Sequence, residues 1–243
     1  MKGKTLRIIV SLTTFLSVSS MLAQEKMDWA MTNVYSQANK EINNSPRAVL
    51  LGDSITDVWL RVHPDFFTDN NLVGRGISGQ TTSQILVRMR EDVVKLHPKY
   101  VVILCGLNDI ALNPGYAGDV EKAVGSIISM CEIAKANGIK PIVCSLLGSY
   151  EIRWRPEVTD CFDQVLRFND LLRTYAGKNR IKYVDYFNLL SDGTGRIGSK
   201  WADDTVHPNQ DGYKMMEDYL LTFLRETFTS DAVIRVVVLS PHV

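Results

Sequence analysis

The chain has 243 residues, 45% of them hydrophobic and 22% charged, with 27 basic side chains balanced by 27 acidic ones. That length can bury a substantial core, while the scattered Lys and Arg offer no basic face of the kind nucleic acid or an anionic membrane requires. The four cysteines and four histidines show no Cys-x-x-Cys pair and no zinc-ligand spacing, so a structural metal is not expected.

The chain opens with Lys2, Lys4 and Arg7, then an apolar and small-residue run from Ile8 to Leu22, with Ala23 at its end. This is the pattern of a secretory signal peptide over residues 1–23, and it predicts an exported protein, periplasmic, secreted or at the cell surface. The run is short, contains Ser and Thr, and is followed at once by polar residues, so no stable membrane span is expected after cleavage. Met21 departs from the small-residue rule and leaves the cut itself open. Without these 23 residues the chain keeps 24 basic and 27 acidic groups.

After a lead-in over residues 24–44, a single domain is expected over 45–229, because no repeat or long Pro/Gly/Ser linker divides it. Continuous apolar runs at Ala48 to Leu51, Asn71 to Gly74, Tyr100 to Cys105, Lys140 to Ser145 and Ile181 to Val184 predict strands buried on both faces. Helical periods lie between and after them. Ile85, Leu86, Met89 and Val93 share one face, as do Val120, Val124, Ile127, Ile128 and Cys131. Val158, Phe162, Val165, Leu166 and Leu172 mark a third helix, and Tyr213, Met216, Leu220, Phe223 and Leu224 the closing one. The alternation predicts an α/β fold, a parallel sheet with helices on both faces. The tail over 230–243 holds a β-branched run, Val233 to Leu239, for which an edge strand and a disordered end are both open. Cys105, Cys131, Cys144 and Cys161 sit in apolar runs or beside Phe162 and read as small buried hydrophobes, though pairing stays possible in an exported chain.

Four polar blocks fall just beyond predicted strands: Gly52-Asp53-Ser54, Gly76 to Gly79, Gly106 to Asp109, and Asp204 to Pro208. Taken singly each is an ordinary cap or turn. Together, at the carboxyl ends of strands that border the ligand crevice in open α/β sheets, they predict one site. A serine hydroxyl needs a base to take its proton, and histidine suits that role. His63, His97 and His207 all precede Pro, and His242 is near the end, but only His207 has a carboxylate, Asp204, three residues earlier in the same loop. Ser54 is therefore the candidate nucleophile, His207 its base and Asp204 the group that orients the imidazole. Negative charge developing on a carbonyl oxygen requires fixed donors, which the backbone N–H groups of Ser54 and Gly79 and the side-chain amide of Asn108 can supply.

These blocks resemble the SGNH subgroup of the GDSL esterase and lipase family over residues 48–225. The resemblance implies a flavodoxin-like three-layer α/β/α sandwich around a mainly five-stranded parallel sheet, with hydrolysis through an acyl-enzyme and no metal. It implies Ser54 as nucleophile, Gly79 in Ile77-Ser78-Gly79 and Asn108 in Gly106-Leu107-Asn108-Asp109 as oxyanion donors, and Asp204 with His207 as the closing pair. Ile55-Thr56, Gly74 and Leu107 depart from residues frequent in the family; none removes a reacting group, and all flank the pocket.

The function expected is an exported serine esterase acting on carboxylic esters, with a small molecule or a carbohydrate bearing short acyl groups, acetyl above all, as substrate. A lysophospholipase or thioesterase is the nearest alternative. More distant ones are a metal-dependent phosphoesterase using Asp53, Asp57, Asp204 and His207, and a noncatalytic carbohydrate-binding module. Asp53, Tyr150, Trp154 and Trp201 are candidate substrate contacts, although loop aromatics more often serve packing. Asn169, on an apolar helix stripe, reads as a structural hydrogen-bonding group. The oligomeric state is not set by the sequence.

Overall fold

The computed structural model describes residues 28–238, so the expected signal segment lies outside the described residues. Five strands form the sheet: β1 (Ala48–Gly52), β2 (Leu72–Gly76), β3 (Tyr100–Leu104), β4 (Lys140–Cys144) and β5 (Lys182–Val184). All pairs are parallel, in the order β2-β1-β3-β4-β5. The helices are α1 (Ser36–Lys40), α2 (Ser54–Val62), α3 (Pro64–Asp69), α4 (Thr82–Asp92), α5 (Leu107–Ile110), α6 (Val120–Ala136), α7 (Cys161–Lys178), α8 (Tyr186–Leu189) and α9 (Gln210–Val238), the last with side chains described to Leu224. No helix among the described residues is long and apolar enough to cross a membrane.

Residues alternate across the central strands into two cores. Val49, Leu51, Val101, Ile103 and Val143 pack under α4, α6 and α7, whereas Ala48, Leu50, Val102, Leu104 and Ile142 pack under α2, α3 and α9. Two covered faces are why these strands read as unbroken apolar runs rather than as alternating ones. The result is the expected three-layer α/β/α sandwich with an all-parallel five-stranded sheet.

Three local readings change. The second strand runs to Gly76 rather than stopping at Gly74, because Arg75 is accommodated as a buried residue: its Nε donates to Asn39 Oδ1 at 2.8 Å, and its guanidinium lies 4.6 Å from the Tyr35 ring. Gly76 must be glycine there, since a Cβ would sit 2.2 Å from the backbone N of Asp57 at the approach of α2. The lead-in is thereby docked on β2, with the Tyr35 hydroxyl donating to the Gly76 carbonyl. The third predicted helix begins at Cys161, after Val158, and turns Leu166 outward at 42% exposure. Its buried stripe is Cys161, Val165, Phe168, Leu172 and Ala176, spaced at three and four residues. Asn169 on the same helix is buried and both accepts from Leu146 N at 2.8 Å and donates to Leu146 O at 3.1 Å. The run from Val233, expected as an edge strand or a disordered end, instead continues helix α9 as far as Val238, the last described residue. All four cysteines are buried and free, and burial pushes the thiols of Cys131 and Cys161 up to about 12.

Candidate active site

Loops leaving β1, β2 and β3 meet the loop that precedes α9 at the carboxyl ends of the strands, on either side of the point where strand order reverses between β1 and β3. Ser54 is the first residue of α2, set there by its cap: Asp53 Oδ1 accepts from Ile55 N at 3.1 Å. A helix leaves its first N–H groups without internal acceptors, and its dipole makes that end positive, so the Ser54 N–H sits where an anion is favoured.

The candidate base arrives from the far end of the chain. Ser54 Oγ lies 3.0 Å from His207 Nε2, and His207 Nδ1 lies 2.9 Å from Asp204 Oδ2. The other carboxylate oxygen accepts from His207 N at 2.6 Å and Val206 N at 2.7 Å. Partial burial pushes the Asp204 carboxyl upward, but the His207 ring and these N–H donors outweigh it and hold it below the usual carboxylate range. The loop itself is pinned by a bridge between Ala202 and Pro208 and by Thr205 Oγ1 donating to Glu151 O at 2.5 Å.

Two further groups close the site. Gly79 has φ +80, a conformation L side chains rarely adopt. Asn108 is buried; its Nδ2 donates to Gln80 O at 3.0 Å and its Oδ1 accepts from Asn113 Nδ2 at 2.8 Å. One Nδ2 hydrogen is thus left to face the cleft. Asp109, next in sequence, accepts from Thr82 N at 2.8 Å, Thr82 Oγ1 at 3.0 Å and Ala117 N at 3.0 Å, which ties the start of α4 to the loop after α5. An open cleft of about 410 Å³ lies over these groups, lined by Ser54, Gly79, Asn108 and His207 together with Val58, Ser78, Asn113 and Trp154. A hydroxyl in contact with an imidazole, the imidazole in contact with a carboxylate, and amide donors across a small cleft can attack a carbonyl and stabilise the oxyanion that forms.

Residues 50–215 match the GDSL-like lipase/acylhydrolase family. The chain belongs to that family. Membership places this GDSL-like hydrolase among enzymes that cleave carboxylic esters. It is similar to a GDSL-like lipase of Bacteroides thetaiotaomicron, with 37% identity and a TM-score of 0.78 over 82% of this chain and 99% of the other. A proposed acylhydrolase of Bacteroides fragilis is 40% identical, with a TM-score of 0.77 over 82% of this chain and 98% of the other. The lipoprotein YqeF of Bacillus subtilis, itself uncharacterized, is 32% identical over 83 residues; the match spans about a third of either chain, 33% of this one and 34% of the lipoprotein.

Of the candidate substrate contacts, only Trp154 lines the cleft of the GDSL-like hydrolase. Asp53 is buried beneath Ser54 with 2% exposure, leaving it no surface to offer a ligand. Tyr150 stacks under Arg196 at 4.8 Å, and Trp201 lies under Lys200 at 4.3 Å, both away from the cleft lining. Of the four groups considered as metal ligands, Asp204 and His207 are bonded to each other, Asp57 is bonded to Arg61 and Ser78, and Asp53 accepts from Ile55 N. Val58, Ser78 and Asn113 are lining residues the sequence did not single out. Asn113 lies five residues beyond Asn108 in a loop with no apolar period, so spacing alone carries no signal for it.

Proposed function

We propose that the chain is an exported serine esterase that hydrolyses short acyl esters, with acetyl groups on carbohydrate as the substrate class. The observation that carries this reading is the continuous relay from Ser54 Oγ through His207 to Asp204, with both contacts at 3.0 Å or less, opening onto the cleft. His207 takes the Ser54 proton as Oγ attacks the ester carbonyl, and the Ser54 and Gly79 N–H groups with the Asn108 amide meet the oxyanion. The protonated imidazole then delivers its proton to the departing alcohol, leaving an acyl-enzyme on Ser54. Water, activated by the same imidazole, releases the acid. The short-acyl assignment rests on the small, open cleft of about 410 Å³, whose apolar walls are Val58 and Trp154. Trp154 is 45% exposed and presents a ring to the alcohol side, a surface on which a sugar can stack. Export is supported by the N-terminal pattern of Lys2, Lys4, Arg7 and the run to Ala23, and by the partial match to a lipoprotein.

The test is a panel of acetylated oligosaccharides, simple acetyl esters and long-chain nitrophenyl esters, run alongside labelling by a fluorophosphonate. Acetate release with a covalent adduct on Ser54, absent in Ser54→Ala, is the expected result. Preference for long acyl chains refutes the substrate class, and an unlabelled, folded wild type refutes the nucleophile.

A further inference from the structure

After the short helix α5 the chain makes a Schellman turn: Asn113 N donates to Asn108 O at 3.0 Å and Leu112 N to Asp109 O at 3.0 Å. The residue at the left-handed position of such a turn is usually glycine, but here it is Leu112, with φ 53. The turn therefore carries local backbone strain beside the cleft, and what the strain delivers is the side chain of Asn113.

That side chain commits both amide hydrogens to the oxyanion side of the site. Asn113 Nδ2 donates to Asn108 Oδ1 at 2.8 Å and to Gly79 O at 3.1 Å, and so joins the two non-serine donors to each other. An asparagine amide can turn over with little change of shape, and a turned Asn108 would aim its oxygen at the oxyanion. With Asn113 in place, turning would set two NH₂ groups face to face and Asn108 Oδ1 against Gln80 O, which now accepts from Nδ2 at 3.0 Å. Asn113 Oδ1 is in turn met by Trp154 Nε1 at 3.4 Å, which favours the same orientation of the Asn113 amide.

We infer that Asn113 is a positioning residue for the oxyanion hole: it locks the Asn108 amide donor-inward and fixes the peptide after Gly79. It touches the reacting atoms only through those two groups. The inference rests on Ser54 as nucleophile and adds to that reading a residue whose effect travels chiefly through Asn108, the shorter of its two contacts at 2.8 Å against 3.1 Å to Gly79 O.

A double-mutant cycle on the full protein tests it, using kcat and KM for 4-nitrophenyl acetate and the rate of Ser54 labelling by a fluorophosphonate. Asn113→Ala is expected to lower kcat and labelling by about 10- to 100-fold with KM within about threefold. In an Asn108→Ala background the same change is expected to cost less than about threefold, because the amide it orients is gone. Asn113→Asp is expected to do worse than Ala, since it cannot donate to either oxygen and sets a negative charge beside the developing oxyanion. Equal losses in the two backgrounds, a loss carried by KM alone, wild-type kcat in Asn113→Ala, or Asp performing as well as Ala each overturn the inference. Wild type that labels at Ser54 while the cycle is additive leaves the esterase reading standing and removes this one; wild type that does not label removes both.

Discussion

Asp204 and His207 face each other across three residues of one loop, with Asp204 Oδ2 at 2.9 Å from the imidazole Nδ1 and Oδ1 held by two backbone N–H groups. The two oxygens thus act separately. Oδ1 shapes the loop, and Oδ2 sets the proton on Nδ1, which leaves Nε2 free to accept from Ser54 at 3.0 Å.

Asp204→Asn divides these two roles. The amide oxygen can still accept from Val206 N and His207 N, so the loop should keep its shape, but the NH₂ group then faces His207 Nδ1 and favours the tautomer protonated on Nε2. That tautomer cannot take the serine proton. A fall in kcat of about 10³- to 10⁴-fold is expected, with thermal stability close to wild type. Wild type itself should lose rate once the imidazole is protonated, because only the neutral ring can take the serine proton. A variant rate within tenfold of wild type, measured by acetate release, would show that Asp204 does not orient the base.

Asp53 yields a prediction about stability. Burial, the largest influence, pushes its carboxyl up to about 7, against the Ile55 N–H and the nearby His207, which pull it down. In an unfolded chain an Asp titrates near about 3.9. A carboxyl that is harder to ionise folded than unfolded costs the fold nothing below about pH 4, progressively more from about 4 to 7, and a constant amount above that. Asn in its place keeps an oxygen for the Ile55 cap and carries no charge. Asp53→Asn should therefore match wild type most closely at pH 4 and exceed it at pH 8 by up to a few kcal/mol in urea unfolding. An advantage that is the same at both pH values, or larger at pH 4, contradicts this account.

The strands and the four loop blocks were legible because each is a local pattern: a run such as Tyr100 to Leu104 is apolar at every position when both faces are covered. What could not be read depends on partners far apart in the chain. Arg75 looks like the end of a strand until Asn39 and Tyr35 are seen to receive it. Tyr150, Trp154 and Trp201 are alike as loop aromatics, and only the folded loops show that Trp154 alone reaches the cleft while Arg196 and Lys200 occupy the other two. Helix α2 was missed because its N-terminus coincides with the nucleophile block, whose cap residue, Asp53, reads equally well as a turn.

Arg88 is the strongest case of a residue hidden by its type. It looks like the solvent side of α4, yet it is fully buried, paired with Asp92 and donating to Gln80 Oε1 at 2.8 Å, with Gly52 O at 3.4 Å and Arg75 O at 3.3 Å. It therefore joins the ends of β1 and β2 to the loop that carries Gly79. Arg88→Met removes the charge while filling most of the space, and leaves Asp92 buried with only Asn39 Nδ2 at 2.9 Å among its side-chain donors. A loss of about 3–5 kcal/mol is expected in denaturant unfolding, and Asp92→Leu in the same chain should recover part of it. A loss under about 1 kcal/mol for the single variant would mean the pair contributes little to holding these loops.

Trp154 bears on which alcohol the enzyme releases. Its ring centroid is 6.5 Å from that of His207 at an interplanar angle of 30°, beside the imidazole that would return a proton to a departing alcohol. A sugar stacked there would gain a contact that a nitrophenyl acetate, much of whose bulk can stay in solvent, needs far less. Its own link to Asn113, at 3.4 Å, is long for a hydrogen bond, so truncation should disturb the oxyanion donors little. Trp154→Ala is accordingly expected to raise KM for an acetylated xylo-oligosaccharide about tenfold, the equivalent of ~1.4 kcal/mol, with kcat within about threefold and nitrophenyl acetate kinetics little changed. If KM rises equally for both substrates, Trp154 is a wall of the cleft and not a sugar platform; if kcat collapses for both, its bond to Asn113 matters more to the chemistry than its exposed face does to binding.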